Sequence, residues 1–211
     1  MNTPEFNAII ATLGLTRSQL AAELGTNEPT IKSMVYGKSA ISGSRADTLR
    51  AMARYTIAHA RVLAEAGAPT LLLWPNQKTY DDYAYTTGDY WQWNATCRAI
   101  YIGSLPSGSN LVALVTFDYW LYTVWLDEQP HTKATLEAFT HWLAKSPVTS
   151  YKLLTEPDKA GELVARLQVL QADGRVETVK QSLGVLPHDD EAKLALATAV
   201  LNVSEALGNA R

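Results

Sequence analysis

Cysteine is nearly absent from this chain of 211 residues, which contains only Cys97. A single cysteine excludes an internal disulfide and a cysteine-rich metal site, so Cys97 is expected to be a small buried hydrophobe. The four histidines also lack the spacing of a metal-binding motif. We therefore predict no metal or other cofactor, no catalytic residue and no enzymatic activity.

Long apolar runs are missing as well. The longest, residues 111–126, is interrupted by Asp118 and is rich in Tyr and Thr, which makes it a poor membrane span. The first residues do not form a basic segment followed by an apolar one, so no secretory signal is expected. Hydrophobic residues make up 47% of the chain and charged residues 18%. This composition is typical of a globular protein, and we predict a cytoplasmic one with no membrane partner.

Charge is unevenly distributed along the chain. Residues 1–61 contain seven basic and four acidic residues, a net charge of +3, whereas the remainder carries −6. A basic N-terminal segment followed by an acidic remainder is the pattern expected of a phosphate-binding domain attached to a second domain.

The most informative segment is residues 15–42. Thr16 and Gln19 have the spacing of a capping box, in which each side chain binds the other residue's backbone N–H. Gly25 is suited to end that first helix, because a glycine readily adopts the left-handed conformation. Asn27 is then placed to cap a second helix, with Pro29 in its first turn. The segment therefore predicts two short helices joined by a tight turn.

Helices are also predicted on both sides of this pair, at residues 3–14 and at about 45–65. The residues that complete a family signature are Leu15-Thr16, Gln19-Leu20-Ala21, Leu24-Gly25, Pro29-Thr30-Ile31-Lys32 and Gly37-Lys38. Over residues 4–66 the chain resembles the lambda-repressor/Cro-like (Xre-type) DNA-binding domain. The resemblance implies a helix-turn-helix domain of four or five helices, with residues 27–36 in the major groove of double-stranded DNA.

Two sets of contacts follow from this resemblance. The outward positions of the recognition helix, expected to touch base edges, are Glu28, Pro29, Lys32 and Ser33. The expected phosphate contacts are Arg17, Asn27 and Lys38. Glu28 repels phosphate and Pro29 lacks a backbone N–H donor, so few specific contacts to bases are expected from this helix. DNA shape or dimer spacing is therefore expected to contribute to specificity. The alternative is a similar fold used for protein contacts.

The pattern changes after residue 66. We predict a helix-turn-helix domain at residues 1–66, a linker at 67–79 and an aromatic-rich α+β domain at 80–211. Alternating aromatics at 83/85 and 91/93 indicate strands, and residues 98–105 and 110–117 indicate a β-hairpin around 106–109. Residues 119–126 fit a strand or a helix equally well.

The tail is predicted to be helical at residues 132–145, 156–172, 176–183 and 189–207. The second of these helices would bury Leu163, Leu167 and Leu170. The overall fold class is therefore mainly α, or α+β, with a small antiparallel sheet in the second domain.

The aromatic residues allow two interpretations. Trp91, Trp93 and Trp120 are candidates for a ligand pocket or an interface. Large aromatics more often form a core or a dimer interface, because each buries a large apolar area, and we favour that interpretation.

The predicted function is that of a sequence-specific DNA-binding transcriptional regulator that acts as a homodimer. Repression is favoured over activation. One alternative is a phage- or plasmid-type interaction protein, either antitoxin-like or an inhibitor of a host factor. Such a protein would bind its partner through residues 80–211 and use the helix-turn-helix only for autoregulation. A second is a small-molecule sensor or enzyme in that region. A self-cleaving repressor peptidase is rejected, because its Gly-Asp-Ser-Met motif is missing.

Overall fold

The computed structural model describes residues 1–65, 70–104, 112–154, 163–185 and 189–208. These residues form a mixture of helices and strands, which confirms the predicted α+β class. In chain order the elements are α1 (Thr3–Leu13), α2 (Arg17–Glu23), α3 (Glu28–Val35), α4 (Gly43–Glu65), β1 (Thr70–Leu73), α5 (Gln77–Tyr83), α6 (Tyr90–Ser104), β2 (Ala113–Thr116), α7 (Tyr119–Leu126), α8 (Lys133–Lys145), β3 (Val148–Leu154), β4 (Leu163–Leu170), β5 (Val176–Gly184) and α9 (Asp189–Ala206). None of the helices in these ranges has both the length and the apolar character needed to cross a membrane.

The chain divides into two compact units, Met1–Thr116 and Phe117–Arg211. The predicted linker at 67–79 lies inside the first unit. Of that segment, residues 67–69 are outside the described ranges, and the rest forms β1 and the start of α5. The Trp-Pro-Asn sequence at 74–76 connects β1 to α5, and Asn76 caps α5.

The helices α1 to α4 occupy the segments in which their local signals predict them. Gly14 follows α1 with a φ of +66°, and its N–H donates to Ile10 O. The apolar faces of these helices share one core, to which α6 adds Ala95. Its fully or almost fully buried members are Phe6, Leu13, Leu20, Ala21, Leu24, Ile31, Met34, Leu49 and Ala95.

The predicted strands at 83/85 and 91/93 and the strand at 98–105 are wrong over the described residues. Tyr83 ends α5, and residues 90–104 form the single helix α6. Consecutive positions of α6 are buried, from Asn94 to Cys97, because the helix contacts both the helical core and β1. A helix that is buried on several sides has no single apolar stripe. Its hydrophobic pattern therefore does not distinguish it from a strand.

The predicted β-hairpin is also wrong. Its second strand exists as β2, but β2 pairs in parallel with β1, in the register Thr70↔Ala113 to Leu73↔Thr116. Parallel strands need a crossover connection, and here α5 and α6 lie within it. The predicted turn at 106–109 lies outside the described residues.

An aromatic cluster forms the core of the second unit. Residues 119–126 prove to be the helix α7, which begins at the cap Asp118. Tyr122 of α7 packs against Phe139 of α8 with a ring-centroid distance of 4.8 Å. The other rings of this cluster, all within 6.4 Å of a neighbouring ring, are Phe117, Trp125 and Trp142. All five of these aromatic side chains are buried.

The helices predicted at 156–172 and 176–183 are wrong where the structure describes them. Residues 163–170 are the strand β4 and residues 176–184 the strand β5, and both belong to an antiparallel sheet of order β3-β4-β5. Along β4 burial alternates, with Ala165, Leu167 and Val169 inside. The turn between β4 and β5 contains Gly174 at a φ of +84°. The predicted helices at 132–145 and 189–207 are confirmed as α8 and α9.

Candidate functional site

The start of α2 is held by the predicted capping box. Thr16 Oγ1 accepts from Gln19 N at 3.2 Å, and Gln19 Oε1 accepts from Thr16 N at 2.9 Å. Arg17 is the first residue of α2, and its side chain is exposed. The capping box therefore fixes the backbone from which the Arg17 guanidinium reaches into solvent.

The capping box gives a first prediction. We expect Thr16→Ala to lower the free energy of unfolding by about 1 kcal/mol, because one N–H at the start of α2 loses its acceptor. Ser18→Ala, at an exposed position two residues along, is the matched control and should change it by less than about 0.5 kcal/mol. Urea unfolding followed by circular dichroism measures both. Equal effects of the two substitutions would contradict the capping role.

A short turn connects α2 to α3. Gly25 has a φ of +56°, and Thr26 N donates to Ala21 O at 2.9 Å. Asn27 then caps α3, since its Oδ1 accepts from Thr30 N at 2.9 Å. Because the cap uses Oδ1, the amide nitrogen of the exposed Asn27 side chain can donate to a phosphate oxygen.

One face of α3 is buried and the opposite face is open. Ile31 and Met34 lie in the helical core. Glu28, Pro29 and Lys32, three of the four residues predicted to contact bases, are exposed. These three side chains can therefore reach a partner laid along α3.

Tyr36 extends this open face and is missing from the contacts predicted from the sequence. It follows Lys32 by four residues, which places the two side chains on the same side of α3. The Tyr36 side chain is 61% exposed, although it is a large aromatic. The spacing of 28, 32 and 36 is the signal that would have identified it.

Ser33 is less available than predicted. It is half-buried, and its Oγ lies 2.6 Å from the Oγ of Ser39. This contact fastens α3 to the loop that follows it, where Gly37 has a φ of +69°. Lys38, directed by that turn, is exposed.

The open surface of α2, α3 and the following loop has three exposed cations and two exposed acids, Glu23 and Glu28. Arg17, Lys32 and Lys38 are all exposed, and within the described ranges none of them forms an ion pair with an acid. Their charges are therefore available to an external anion. Glu28 is the one acid among the seven residues predicted to touch DNA.

The three tryptophans predicted as a ligand pocket or interface are not brought together within either unit. Trp91 and Trp93 belong to the first unit and Trp120 to the second. Trp93 has a structural role, because its Nε1 donates to Leu72 O at 2.7 Å. Trp120 is half-buried, with Lys193 Nζ at 5.6 Å from the ring centroid. Trp91 borders a cleft of the first unit.

Cys97 and Tyr151 have ionisable groups whose pKa is raised by their surroundings. Cys97 is completely buried against Leu71 and Ile100, as its expected role as a small hydrophobe requires, and burial raises the pKa of its thiol to about 12. In the second unit the Tyr151 hydroxyl donates to Asp118 Oδ2. Burial and the Asp118 carboxylate raise the pKa of Tyr151 well above its ordinary value. Both groups are therefore protonated at neutral pH.

No group of three or more His, Cys, Asp or Glu side chains in the described part of the chain is arranged to hold a metal ion. Comparison with known proteins adds no assignment: no family model matches the chain, and neither does any curated protein.

Proposed function

We propose that the protein binds double-stranded DNA through α2 and α3 and acts as a transcriptional regulator, a repressor in its simplest form. The observation that carries the proposal is the open face of α3 with three exposed cations: Arg17 at the start of α2, Lys32 on α3 and Lys38 in the loop that follows α3. Duplex DNA has a regular array of phosphates that such cations neutralise. The similarity of residues 4–66 to Xre-type domains supports the same assignment.

In this arrangement α3 lies in the major groove. Glu28 and Pro29, at its N-terminal end, approach base edges together with Lys32. Arg17, from the start of α2, and Lys38, from the loop after α3, lie on either side of the groove and bind phosphates. Tyr36 adds an apolar and hydrogen-bonding contact at the other end of α3.

A homodimer is part of the proposal for a physical reason. One short recognition helix reads few base pairs, so a single copy discriminates weakly among genomic sites. Two copies on a palindromic site multiply their selectivities, with half-sites separated by about one helical turn of DNA.

The direct test is a titration of labelled duplex DNA with the full chain at several salt concentrations, followed by fluorescence anisotropy. We expect the logarithm of the binding constant to fall linearly with the logarithm of salt concentration, by about 0.9 for each phosphate neutralised. Selection of bound genomic fragments then gives the operator, and its half-site spacing reports the dimer. Absence of salt-dependent binding to any duplex would refute the proposal.

Glu28 gives a further prediction. We expect Glu28→Gln to tighten binding to non-specific duplex by about two- to fivefold at low salt, because a carboxylate that faces phosphates is removed. Glu23→Gln, an exposed acid at the end of α2 outside the proposed contact set, makes the same charge change and should have a smaller effect. The same anisotropy titration measures both, and an equal gain for the two variants would place Glu28 away from DNA.

A further inference from the structure

A cleft of about 290 Å³ lies in the first unit, and none of the residues that line it belongs to α3. Its wall is formed by the end of α1, the start of α2, the carboxyl ends of the parallel strands β1 and β2, and the first turns of α6. The residues that line it are Gly14, Thr16, Gln19, Leu73, Trp74, Pro75, Tyr90, Trp91, Asn94, Arg98 and Thr116. The carboxyl ends of parallel strands are a common place for ligands, and the volume suits a small molecule.

Arg98 places a positive charge in this cleft. It is half-buried on α6, and among the residues described no acid forms an ion pair with it. The described residues that line the cleft include no Asp or Glu either. A guanidinium with no carboxylate partner in a cleft attracts an anion from solution.

Gly14 allows this placement. A Cβ at residue 14 would lie 1.8 Å from Arg98 Nη1, so the guanidinium lies directly against the glycine backbone. The glycine at the end of α1 therefore has two roles: it adopts the left-handed conformation that ends the helix, and it leaves space for Arg98. The close fit restricts the guanidinium to the cleft wall, which lowers the entropic cost of binding a ligand.

Tyr90 adds a second donor. Its hydroxyl oxygen accepts from Gln19 Nε2 at 2.6 Å, so the hydroxyl proton is directed elsewhere. Its backbone is held in turn by Gln77, whose Oε1 accepts from Tyr90 N at 3.1 Å. Asn94 has a structural role in the wall, because its Oδ1 accepts from Trp74 N and its Nδ2 donates to Trp74 O. The Arg98 guanidinium and the Tyr90 hydroxyl are thus two donors in this cleft, beside the flat indole of Trp91.

We propose that this cleft binds a small organic anion, with its carboxylate or phosphate on Arg98 and Tyr90 and a planar body against Trp91. The assignment does not depend on DNA binding, because it concerns the free protein. Thr16 and Gln19 form both the wall of the cleft and the capping box of α2, so a bound anion contacts the start of the helix that carries Arg17.

The test uses two probes that differ in their anionic group, benzoate and phenyl phosphate, with neutral benzamide as the matched control. The full chain is labelled with ¹⁵N, and the indole signal of Trp91 is assigned through Trp91→Phe. We expect at least one anion to shift this signal saturably with a dissociation constant on the order of 1–10 mM, and benzamide to bind at least about tenfold more weakly. The tighter of the two anions identifies the preferred head group.

Variants then distinguish binding in this cleft from a non-specific attraction of the anion to any positively charged side chain. Arg98→Gln should weaken binding at least about tenfold, whereas Arg61→Gln, which removes the same charge at an exposed position of α4, should leave it unchanged. Tyr90→Phe removes only a hydroxyl and should weaken binding several-fold, which keeps the test decisive if Arg98→Gln unfolds. No saturable shift with either anion, or equal effects of the two arginine substitutions, overturns the proposal.

Discussion

The double variant Arg17→Ala/Lys38→Ala is expected to bind duplex DNA on the order of 100-fold more weakly than the unaltered chain, at about tenfold for each cation removed from a phosphate. Both side chains are exposed and form no ion pair with an acid in the described ranges, so their removal does not disturb the helical core. Because each cation that binds a phosphate releases a counterion, the slope of binding against salt should become less steep by about two. Anisotropy titrations at several salt concentrations measure both quantities.

The weakening should be similar for all DNA sequences, since phosphates carry no base identity. Arg61→Ala/Arg54→Ala is the matched control, because both arginines are exposed on α4 outside the proposed contact set. A substitution at Lys32 should instead change which sequences are preferred. If the control pair weakens binding as much as the Arg17 and Lys38 pair does, general electrostatic attraction accounts for binding and the proposed docking of α2 and α3 is wrong.

Two leucines on the same strand should differ strongly in their contribution to stability. Leu167 is 0% exposed in β4, whereas Leu170, three residues later, is 43% exposed. We expect Leu167→Ala to lower the free energy of unfolding by about 2–5 kcal/mol, because it leaves a cavity in the core of the second unit. Leu170→Ala should cost less than about 1 kcal/mol, since its side chain is already partly in water.

Urea unfolding followed by circular dichroism measures this pair and also discriminates between two structures. In the helix predicted from the sequence, Leu167 and Leu170 both face inward, and the two substitutions would destabilise the protein by similar amounts. In the observed strand only Leu167 faces inward, because successive side chains alternate between the two faces. Equal effects would favour the helix over β4.

The helices α1 to α4 were predictable because their signals act locally. A cap such as Thr16 or Asn27 binds an N–H only three residues away. Gly14 and Gly25 end their helices through their own φ angles. The exposed face of α3 follows from the same local pattern once Ile31 is placed inside. Most of the candidate DNA-contact residues were therefore identified correctly as exposed, whereas the half-buried Ser33 depends on its contact with Ser39.

The helix α6 and the strands β4 and β5 were not predictable in the same way. Residues 90–104 are rich in aromatics and are buried on more than one side, so no helical stripe distinguishes them from a strand. In β4 the leucines at 163, 167 and 170 have helical spacing by coincidence, while the alternation of Ala165, Arg166 and Leu167 reports the strand. The Asp-Gly pair at 173–174 is a hairpin signal that favoured β4 and β5.

The cleft of Arg98 could not be derived from sequence at all. Arg98 and Gly14 are separated by more than 80 positions, and only the packing of α6 against α1 brings them into contact.

By itself the sequence determined the ends of α1, α2 and α3, the exposed cations of the α2–α3 pair and the buried state of Cys97. Caps, glycines, prolines and apolar spacing act within one or two helical turns, so no distant contact is needed to interpret them. The tertiary structure alone decided that α6 packs against α1 and α4, that β1 pairs with β2, and that Arg98 and Tyr90 line one cleft. Each of these depends on residues far apart in the chain, and their pairing is decided by which surfaces are buried together.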